Sequence, residues 1–285
     1  MSNPIIRHIY TADPTVLVYN NTVYLYTGHD EPPDGVDDYV MNDWRCFSST
    51  DLQQWAEHPV PLKALDFAWS SGNAYASKVI EFNGKFYWFV AVTNAMDGNS
   101  AIGLAVADRP QGPYTDALGA PLITLSMLPP TDNPKANLDP TVLYADGAHY
   151  VCWGHQTPYF ARLNAPLTAL DGPITTLTLP NFSEGAHLHK HKDWFYLSYG
   201  YGSPEKVAYA MSRDINGPWE FKGILNDVPY NCETNRPCTL EMGGESYFFY
   251  HNGALPGGGS HRRSVCIDRL YYNDDGTIQE VVMTR

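Results

Sequence analysis

The stretch Asp13-Pro14-Thr15-Val16-Leu17 recurs unchanged as Asp139-Pro140-Thr141-Val142-Leu143. Each copy continues through a polar turn, Asn20-Asn21 or Asp146-Gly147, into a second apolar and aromatic stretch. Apolar alternation on both sides of such a turn predicts a β-hairpin. An internal repeat of this kind indicates a fold assembled from similar units. It also predicts an aspartate at the same structural point of two units.

Three more stretches of the chain have the same strand–turn–strand pattern. They are Ser77–Phe82 with Lys85–Val90, Ala186–Lys190 with Trp194–Tyr199, and Pro237–Glu241 with Glu245–Tyr250. The resulting five units span roughly 45–63 residues each and are separated by loops rich in glycine and proline, a pattern typical of propeller blades. We therefore predict an all-β, five-bladed β-propeller that forms a single domain over residues 1–285. A pair of sandwich domains is the alternative, but it would not explain five hairpins of one type.

The composition of the chain limits the binding partners and the cellular compartment that can be expected. The net charge of −13 lacks the basic footprint that nucleic-acid binding requires. The sequence has no run of ~18–20 apolar residues, so no membrane partner is expected. Its start lacks the apolar segment of a signal peptide, which predicts a cytoplasmic protein, although removal of a leader would leave a similar sequence. The five cysteines include no Cys-x-x-Cys pair, so reduced thiols are expected, with a Cys232–Cys238 disulfide as the alternative.

Three carboxylates fall at the starts of predicted blades. Asp13 opens the first, Asp139 the third and Glu184 the fourth. In a ring, the inner strands of different blades converge on one end of the central channel, so these side chains should face one pocket. Like charges at close range resist joint ionisation, whereas hydrolysis of a glycosidic bond needs one ionised and one protonated carboxyl group. A single Asp-Pro indicates only a turn or a cap, but two copies and a glutamate favour a catalytic pocket.

Over almost its whole length the chain resembles glycoside hydrolase family 43. Asp13-Pro14-Thr15 matches the family's base motif, Asp139-Pro140-Thr141 its second aspartate and Glu184-Gly185 its acid motif, with Ala186 where proline is common. The resemblance implies an inverting hydrolase in which Asp13 is the general base and Glu184 the general acid. It implies that Asp139 positions Glu184 and keeps its pKa raised.

The resemblance also implies a substrate class. The absence of an added sandwich domain and the short last blade are similar to the α-L-arabinofuranosidase/β-xylosidase type. Such an enzyme releases arabinofuranose or xylose from oligosaccharides derived from arabinoxylan or xylan. An endo-1,5-α-L-arabinanase and a non-catalytic carbohydrate-binding propeller remain as alternatives. No organic cofactor is expected, and the oligomeric state is left open.

Two segments are predicted to line the sugar site. The family's second blade often opens with Ala-Trp-Ala-Pro, whereas this chain has Asn73-Ala74-Tyr75-Ala76. Either Tyr75 or Trp69 is then the ring that faces the sugar. The segment at Gly28 resembles a loop bordering the −1 sugar, which makes His29 and Asp30 candidates for substrate binding.

Three further residues complete the predicted site. His187 is expected near the pocket mouth, in contact with substrate. Neighbouring residues of a strand point in opposite directions, so at most one of Arg262 and Arg263 faces the pocket. The planar donors of arginine suit vicinal hydroxyls or a carboxylate, and Arg263 is favoured, with pairing to surface acids as the alternative. His251 ends the strand at Tyr250. The resemblance implies that it helps to hold a hydrated calcium ion in the central channel, and the alternative is a hydrogen-bonded core histidine.

Overall fold

The computed structural model describes residues 2–284 and contains five antiparallel sheets. The first has β1 Thr11–Tyr19, β2 Thr22–His29, β3 Asp43–Ser49, β4 Ala56–Glu57 and β5 Leu62–Lys63. The second has β6 Ser70–Gly72, β7 Ser77–Phe82, β8 Lys85–Asn94, β9 Ser100–Ala107 and β10 Thr115–Asp116. The third has β11 Thr141–Ala145, β12 Ala148–Trp153, β13 Tyr159–Leu163 and β14 Thr175–Thr176. The last two have β15 His187–His191, β16 Trp194–Tyr201, β17 Lys206–Ser212 and β18 Glu220–Asn226, then β19 Cys238–Met242, β20 Glu245–Asn252 and β21 Ser264–Leu270.

Each sheet is one blade of a ring. The innermost strands β1, β7, β11, β15 and β19 line a central channel of about 500 Å³. Two short 3₁₀ helices, Ala64–Asp66 and Leu125–Met127, lie in the connections. The five-bladed β-propeller predicted from the sequence is confirmed.

Turn residues explain why the hairpins form where they do. The turns Asn20-Asn21, Asn83-Gly84, Asp146-Gly147 and Gly243-Gly244 have positive φ at both residues. That is the geometry of the type I′ turn, whose twist matches the twist of the flanking strands. Asparagine, aspartate and glycine tolerate this conformation best.

The hydrophobic core is divided among the interfaces between blades. Five clusters of buried side chains each combine residues from two neighbouring blades. Trp44 of the first blade and Trp88 of the second meet in one of these clusters, with ring centroids 5.8 Å apart. Each blade therefore buries apolar side chains against both of its neighbours in the ring.

The N-terminal segment closes the ring. The last blade has three strands, and residues before β1 run beside its outermost strand β21. The N–H of Ile5 donates to the carbonyl of Val265 and that of Thr11 to the carbonyl of Arg263, both at 2.9 Å. The chain then enters β1, so one continuous segment joins the last blade to the first.

The five cysteines are all buried and free, so the Cys232–Cys238 disulfide is not formed. Among residues 2–284 there is no helix of the length and apolar character needed to cross a membrane.

Candidate active site

The two copies of Asp-Pro-Thr share the same backbone conformation at their aspartates. Asp13 has φ 51° and Asp139 has φ 60°, each directly before a proline. In β1 the register shifts between Ala12 and Thr15, so Asp13 lies on a bulge that leaves the hydrogen-bond ladder. Positive φ is uncommon for residues other than glycine, and aspartate and asparagine adopt it several times more often than most side chains. The backbone thus aims both carboxylates out of their strands.

Glu184 lies one residue earlier than the sequence repeat predicts. Gly185, with φ 69°, occupies the place that Asp13 and Asp139 hold in their blades, and Ala186 follows it as the prolines follow the aspartates. The prediction that Glu184 shares the aspartates' position is therefore wrong by one residue. The N–H of Gly185 donates to Oδ2 of Asp139 at 2.7 Å. The acid segment of the fourth blade is thereby joined to the third.

The structure brings the three carboxyl groups together. Asp13, Asp139 and Glu184 line one cavity of about 60 Å³ at the mouth of the channel. Arg263 and Tyr75, both predicted from the sequence, also line this cavity. Its remaining walls are Tyr39, Met41, Ala76, Lys135 and Leu138.

Asp13 is held as a hydrogen-bond acceptor. Nη1 of Arg263 donates to Oδ1 of Asp13 at 3.2 Å, and both side chains are buried. The guanidinium is fixed from behind by Asp30, which accepts from Nε and Nη2 at 2.8 Å each. The Arg263 guanidinium therefore fixes the orientation of the Asp13 carboxylate at the cavity.

Glu184 has the opposite environment. Burial raises the pKa of its carboxyl group well above the ordinary value, and the negative charges of Asp139, Glu205 and Asp13 raise it further, against a smaller lowering by Arg236. Among residues 2–284 its carboxyl group forms no hydrogen bond with another side chain. A protonated and unoccupied carboxyl group can give its proton to a leaving oxygen.

Asp139 connects the site to the last blade. Its Oδ1 lies 3.2 Å from Nη1 of Arg236, and both side chains are buried. Burial raises the pKa of Asp139, while Arg236 and the N–H of Gly185 act against that shift. One oxygen of its carboxylate is thus paired with Arg236 and the other with the N–H of Gly185. Asp139 therefore holds the segment that follows Glu184 and places a negative charge near the Glu184 carboxyl group.

Of Tyr75 and Trp69, Tyr75 lies in the cavity wall, together with Tyr39. The indole N–H of Trp69 donates to Asp116 at 3.1 Å, and its ring lies over Gly103, where a Cβ would come within 2.8 Å of it. Trp69 therefore packs inside the second blade. Of the two rings that the sequence offers, Tyr75 alone lines this cavity, and its contact with the sugar stays a prediction.

His29 and Asp30 lie behind the cavity wall. Asp30 is 1% exposed, and both of its oxygens are bound to Arg263. Nδ1 of His29 lies 3.1 Å from Oδ1 of Asp43, which also accepts from Arg45 at 2.9 Å. The prediction that these two residues border the sugar directly is corrected, because neither lines the cavity, and Asp30 and Nδ1 of His29 are engaged by other side chains. Their position makes them supports of Arg263 and of the first blade.

His187 lies deeper in the channel than predicted. It is buried, and its Nε2 accepts from the N–H of Thr239 at 3.1 Å. It lines the channel and is absent from the cavity that holds the three carboxyl groups. The expected contact with substrate at the pocket mouth is corrected, since the inner strand carries this side chain away from the mouth.

His251 does not fit the role of a calcium ligand. Its Nδ1 accepts from the N–H of Asp13 at 3.2 Å, and its Nε2 donates to the carbonyl of Thr234 at 3.0 Å. Burial lowers the pKa of His251 to about 3, so the ring is neutral and both nitrogens are used. No lone pair is left for a metal ion. His251 instead matches the other prediction from the sequence, a buried histidine whose ring nitrogens are hydrogen-bonded.

A second group of possible metal ligands is also unsuited to a cation. His29, Glu31 and Asp43 place ligand atoms within 4.8 Å of one another. Nε of Arg45 donates to Asp43 at 2.9 Å, and its Nη2 lies 3.3 Å from Nδ1 of His29. The guanidinium already supplies the positive charge that a metal would bring.

Sequence reasoning missed four residues of the site: Tyr39, Lys135, Glu205 and Arg236. A signal for Arg236 was available, because Arg236-Pro237 opens the fifth blade as Asp-Pro opens the first and third. Tyr39 and Lys135 come from loops without a repeated pattern. Glu205 lies in the turn between β16 and β17, where nothing in the sequence marks it.

The fold is a five-bladed propeller, and three carboxyl groups in unequal environments lie at one mouth of its channel. This combination is typical of the glycoside hydrolases that have a propeller fold. The chain belongs to the Glycosyl hydrolases family 43, whose model matches residues 1–278.

Relatives of known structure and of curated function agree with this assignment. The arabinoxylan arabinofuranohydrolase of Bacillus subtilis is 30% identical over 98% of this chain and 64% of its own length. An α-L-arabinofuranosidase of Clostridium thermocellum is 31% identical, with a TM-score of 0.79 over 99% of this chain and 96% of that one. A family 43 β-xylosidase/α-arabinofuranosidase from a compost metagenome, solved with xylotriose in a calcium-free form, is 25% identical, with a TM-score of 0.87 over 98% and 96%. The chain spans about half to two thirds of the length of the first curated relatives it matches.

Proposed function

We propose that the protein is an inverting glycoside hydrolase that releases arabinofuranose or xylose from oligosaccharides derived from arabinoxylan or xylan. The observation that carries the proposal is the unequal pair in one cavity. Asp13 accepts a hydrogen bond from Arg263, whereas Glu184 has a raised pKa and a free carboxyl group. Two carboxyl groups in environments that separate their pKa values are the acid and base of glycoside hydrolysis.

Each residue has one task in the reaction. Glu184 donates its proton to the glycosidic oxygen as the bond to the sugar breaks. Asp13 takes a proton from a water molecule, whose oxygen attacks the anomeric carbon from the opposite face. Asp139 holds the backbone of Gly185 and adds the negative charge that keeps Glu184 protonated. An inverting enzyme of this type separates its two carboxyl groups by about 6.5–9.5 Å, which leaves room for the water.

The size of the cavity supports an enzyme that acts on chain ends or side branches. A cavity of about 60 Å³ suits one terminal sugar better than the middle of a long chain. Similar proteins are named as an arabinoxylan arabinofuranohydrolase, an α-L-arabinofuranosidase and a β-xylosidase/α-arabinofuranosidase in complex with xylotriose. These names support pentose-containing oligosaccharides as the substrate class.

The proposal is tested with p-nitrophenyl α-L-arabinofuranoside, p-nitrophenyl β-D-xyloside and xylotriose. Glu184→Gln should lose about 10²–10⁴-fold in kcat on xylotriose, because a sugar leaving group needs protonation. The loss on the two p-nitrophenyl substrates should be much smaller, since p-nitrophenolate leaves with little help. The anomer formed first, followed by NMR, should have the inverted configuration.

Other outcomes separate the alternatives. Wild-type cleavage of linear arabinan with no release from the p-nitrophenyl substrates would favour the endo-arabinanase. Sugar binding without hydrolysis of any substrate would favour the non-catalytic propeller. Equal rates for wild type and Glu184→Gln on xylotriose would remove Glu184 as the acid.

Calcium in the central channel stays a prediction, and the hydrogen bonds of His251 weigh against direct ligation. We propose that hydrolysis proceeds without calcium. Dialysis against a chelator should leave kcat unchanged, and restoration of lost activity by calcium alone would contradict the proposal.

A further inference from the structure

Glu205 is a buried carboxyl group that the reaction outlined above does not use. It lies between β16 and β17 and is 4% exposed. Among residues 2–284 it forms no ion pair with a lysine, arginine or histidine. Burial of an unpaired carboxyl group is costly unless hydrogen bonds compensate it. Its partners therefore indicate what it is for.

Both oxygens of Glu205 are bound to residues next to the site. The hydroxyl of Ser183 donates to Oε1 at 2.5 Å, and the N–H of Asn235 donates to Oε2 at 3.0 Å. Ser183 directly precedes Glu184, and Asn235 directly precedes Arg236. One side chain thus joins the segment of the acid to the segment of the arginine that binds Asp139.

The packing leaves little freedom in this connection. A Cβ on Gly200 would lie 3.1 Å from the carboxyl carbon of Glu205 and 3.2 Å from the carbonyl oxygen of Glu184. The N–H of Gly200 donates to that same carbonyl at 2.8 Å. The backbone of Glu184 and the carboxyl group of Glu205 are therefore packed against one glycine.

We propose that Glu205 is a positioning residue for hydrolysis, which fixes the acid segment at Ser183 against Asn235 and sets a fourth carboxyl group beside Glu184. The proposal rests on the proposed function, because it assigns Glu205 a task in the protonation of the leaving group. Glu205 itself lies outside the cavity that holds the three carboxyl groups.

The charges around Glu205 give the sign of its effect. Glu184 faces Asp139, Glu205, Asp13 and Arg236. Burial raises the pKa of Glu205 to about 7, against its two hydrogen bonds. Above that pH its ionised form opposes the loss of the proton from Glu184. The alkaline limb of the kcat/KM profile, where the acid loses its proton, therefore lies at higher pH than it would without Glu205.

The test compares Glu205→Gln with Glu280→Gln, a substitution at an exposed glutamate. Glu205→Gln keeps the shape of the side chain and removes its charge. Its alkaline limb on xylotriose or an arabinose-bearing xylo-oligosaccharide, whose sugar leaving groups need the acid, should move to lower pH by on the order of one unit. Glu280→Gln should leave the limb in place. A structural defect alone would lower kcat at all pH values without moving the limb.

Ser183→Ala provides a second variant in case Glu205→Gln does not fold. Loss of the hydroxyl removes a hydrogen bond that favours the charged form of Glu205, so the limb should move in the same direction by a smaller amount. Limbs that coincide with wild type in the folded variants would overturn the inference while the wild-type activity stands. A wild type that hydrolyses neither these oligosaccharides nor the two p-nitrophenyl substrates would instead contradict the proposed function.

Discussion

Asp13 and Asp139 have the same neighbours in sequence and nearly the same φ, yet their carboxylates meet different partners. Asp13 accepts from Arg263 and has its other face open to the cavity. Asp139 is bound by Arg236 and by the N–H of Gly185. The difference arises because each blade contributes a different neighbour to the ring. The two identical stretches of sequence therefore give their aspartates different roles, because different neighbouring blades supply the partners.

Asp139→Asn tests the part of this argument that concerns charge. Removal of the negative charge lowers the pKa of Glu184, so the alkaline limb of kcat/KM should move to lower pH. We expect a loss in kcat of about 10²-fold, since the acid is less often protonated and less well held. Rates measured between pH 4 and 9 check both effects, and an alkaline limb at higher pH than wild type would contradict them.

The sequence could predict the acids but not their supports. Asp13, Asp139 and Glu184 are marked by position in a repeat, which needs no knowledge of distant contacts. Asp30 and Glu205 take their roles from partners far along the chain, such as Arg263 for Asp30. No local pattern records a contact between residues separated by more than two hundred positions. For the same reason the depth of His187 in the channel was missed.

At the scale of elements, hairpins were predictable and the outermost strands were not. β7 spans Ser77–Phe82, as the alternation in the sequence predicts. The outer strands β4, β10 and β14 have two residues each and no alternation to read. These short strands form because an adjacent strand provides hydrogen-bond partners for them. Such pairing depends on the assembled sheet and not on the local sequence.

The segment that closes the ring can be tested at Asn3. Its Nδ2 donates to the carbonyl of Ile267 at 3.1 Å, and its Oδ1 accepts from the N–H of Ile267 at 2.9 Å. Asn3→Ala should reduce the free energy of unfolding by about 2–3 kcal/mol, because buried partners lose their hydrogen bonds. Urea denaturation measures the change. Asn216→Ala, at an exposed position, serves as the control, and equal effects of the two substitutions would argue against a role in closure.

At the scale of the whole molecule, burial between five blades places several ionisable groups in the interior. His251 and His189 are neutral, because burial lowers the pKa of each to about 3. Burial lowers the pKa of His187 as well, while it raises those of Glu184 and Glu205. The pH dependence of stability is therefore a sum over the ring, and its two parts have opposite signs.

His189 allows one part of that sum to be isolated. In the unfolded chain histidine binds a proton below about pH 6.5, whereas folded His189 stays neutral to about pH 3. The unfolded state thus binds more protons in this window, and stability is lost as the pH falls through it, by up to ~1.4 kcal/mol per pH unit for each such histidine. Glu205 acts the other way between about pH 4.5 and 7, since its folded pKa is raised.

His189→Gln should therefore reduce the slope of unfolding free energy against pH between 4.5 and 6.5 by up to ~1.4 kcal/mol per unit. Glutamine retains a polar group that can reach the hydroxyl of Tyr272, to which Nε2 of His189 is bound at 2.9 Å. Urea denaturation at several pH values gives the slope, with the exposed His8→Gln as the matched control. An unchanged slope in His189→Gln would contradict this expectation. It would mean that the imidazole of folded His189 is protonated as readily as a histidine of the unfolded chain, and that solvent reaches this depth of the channel.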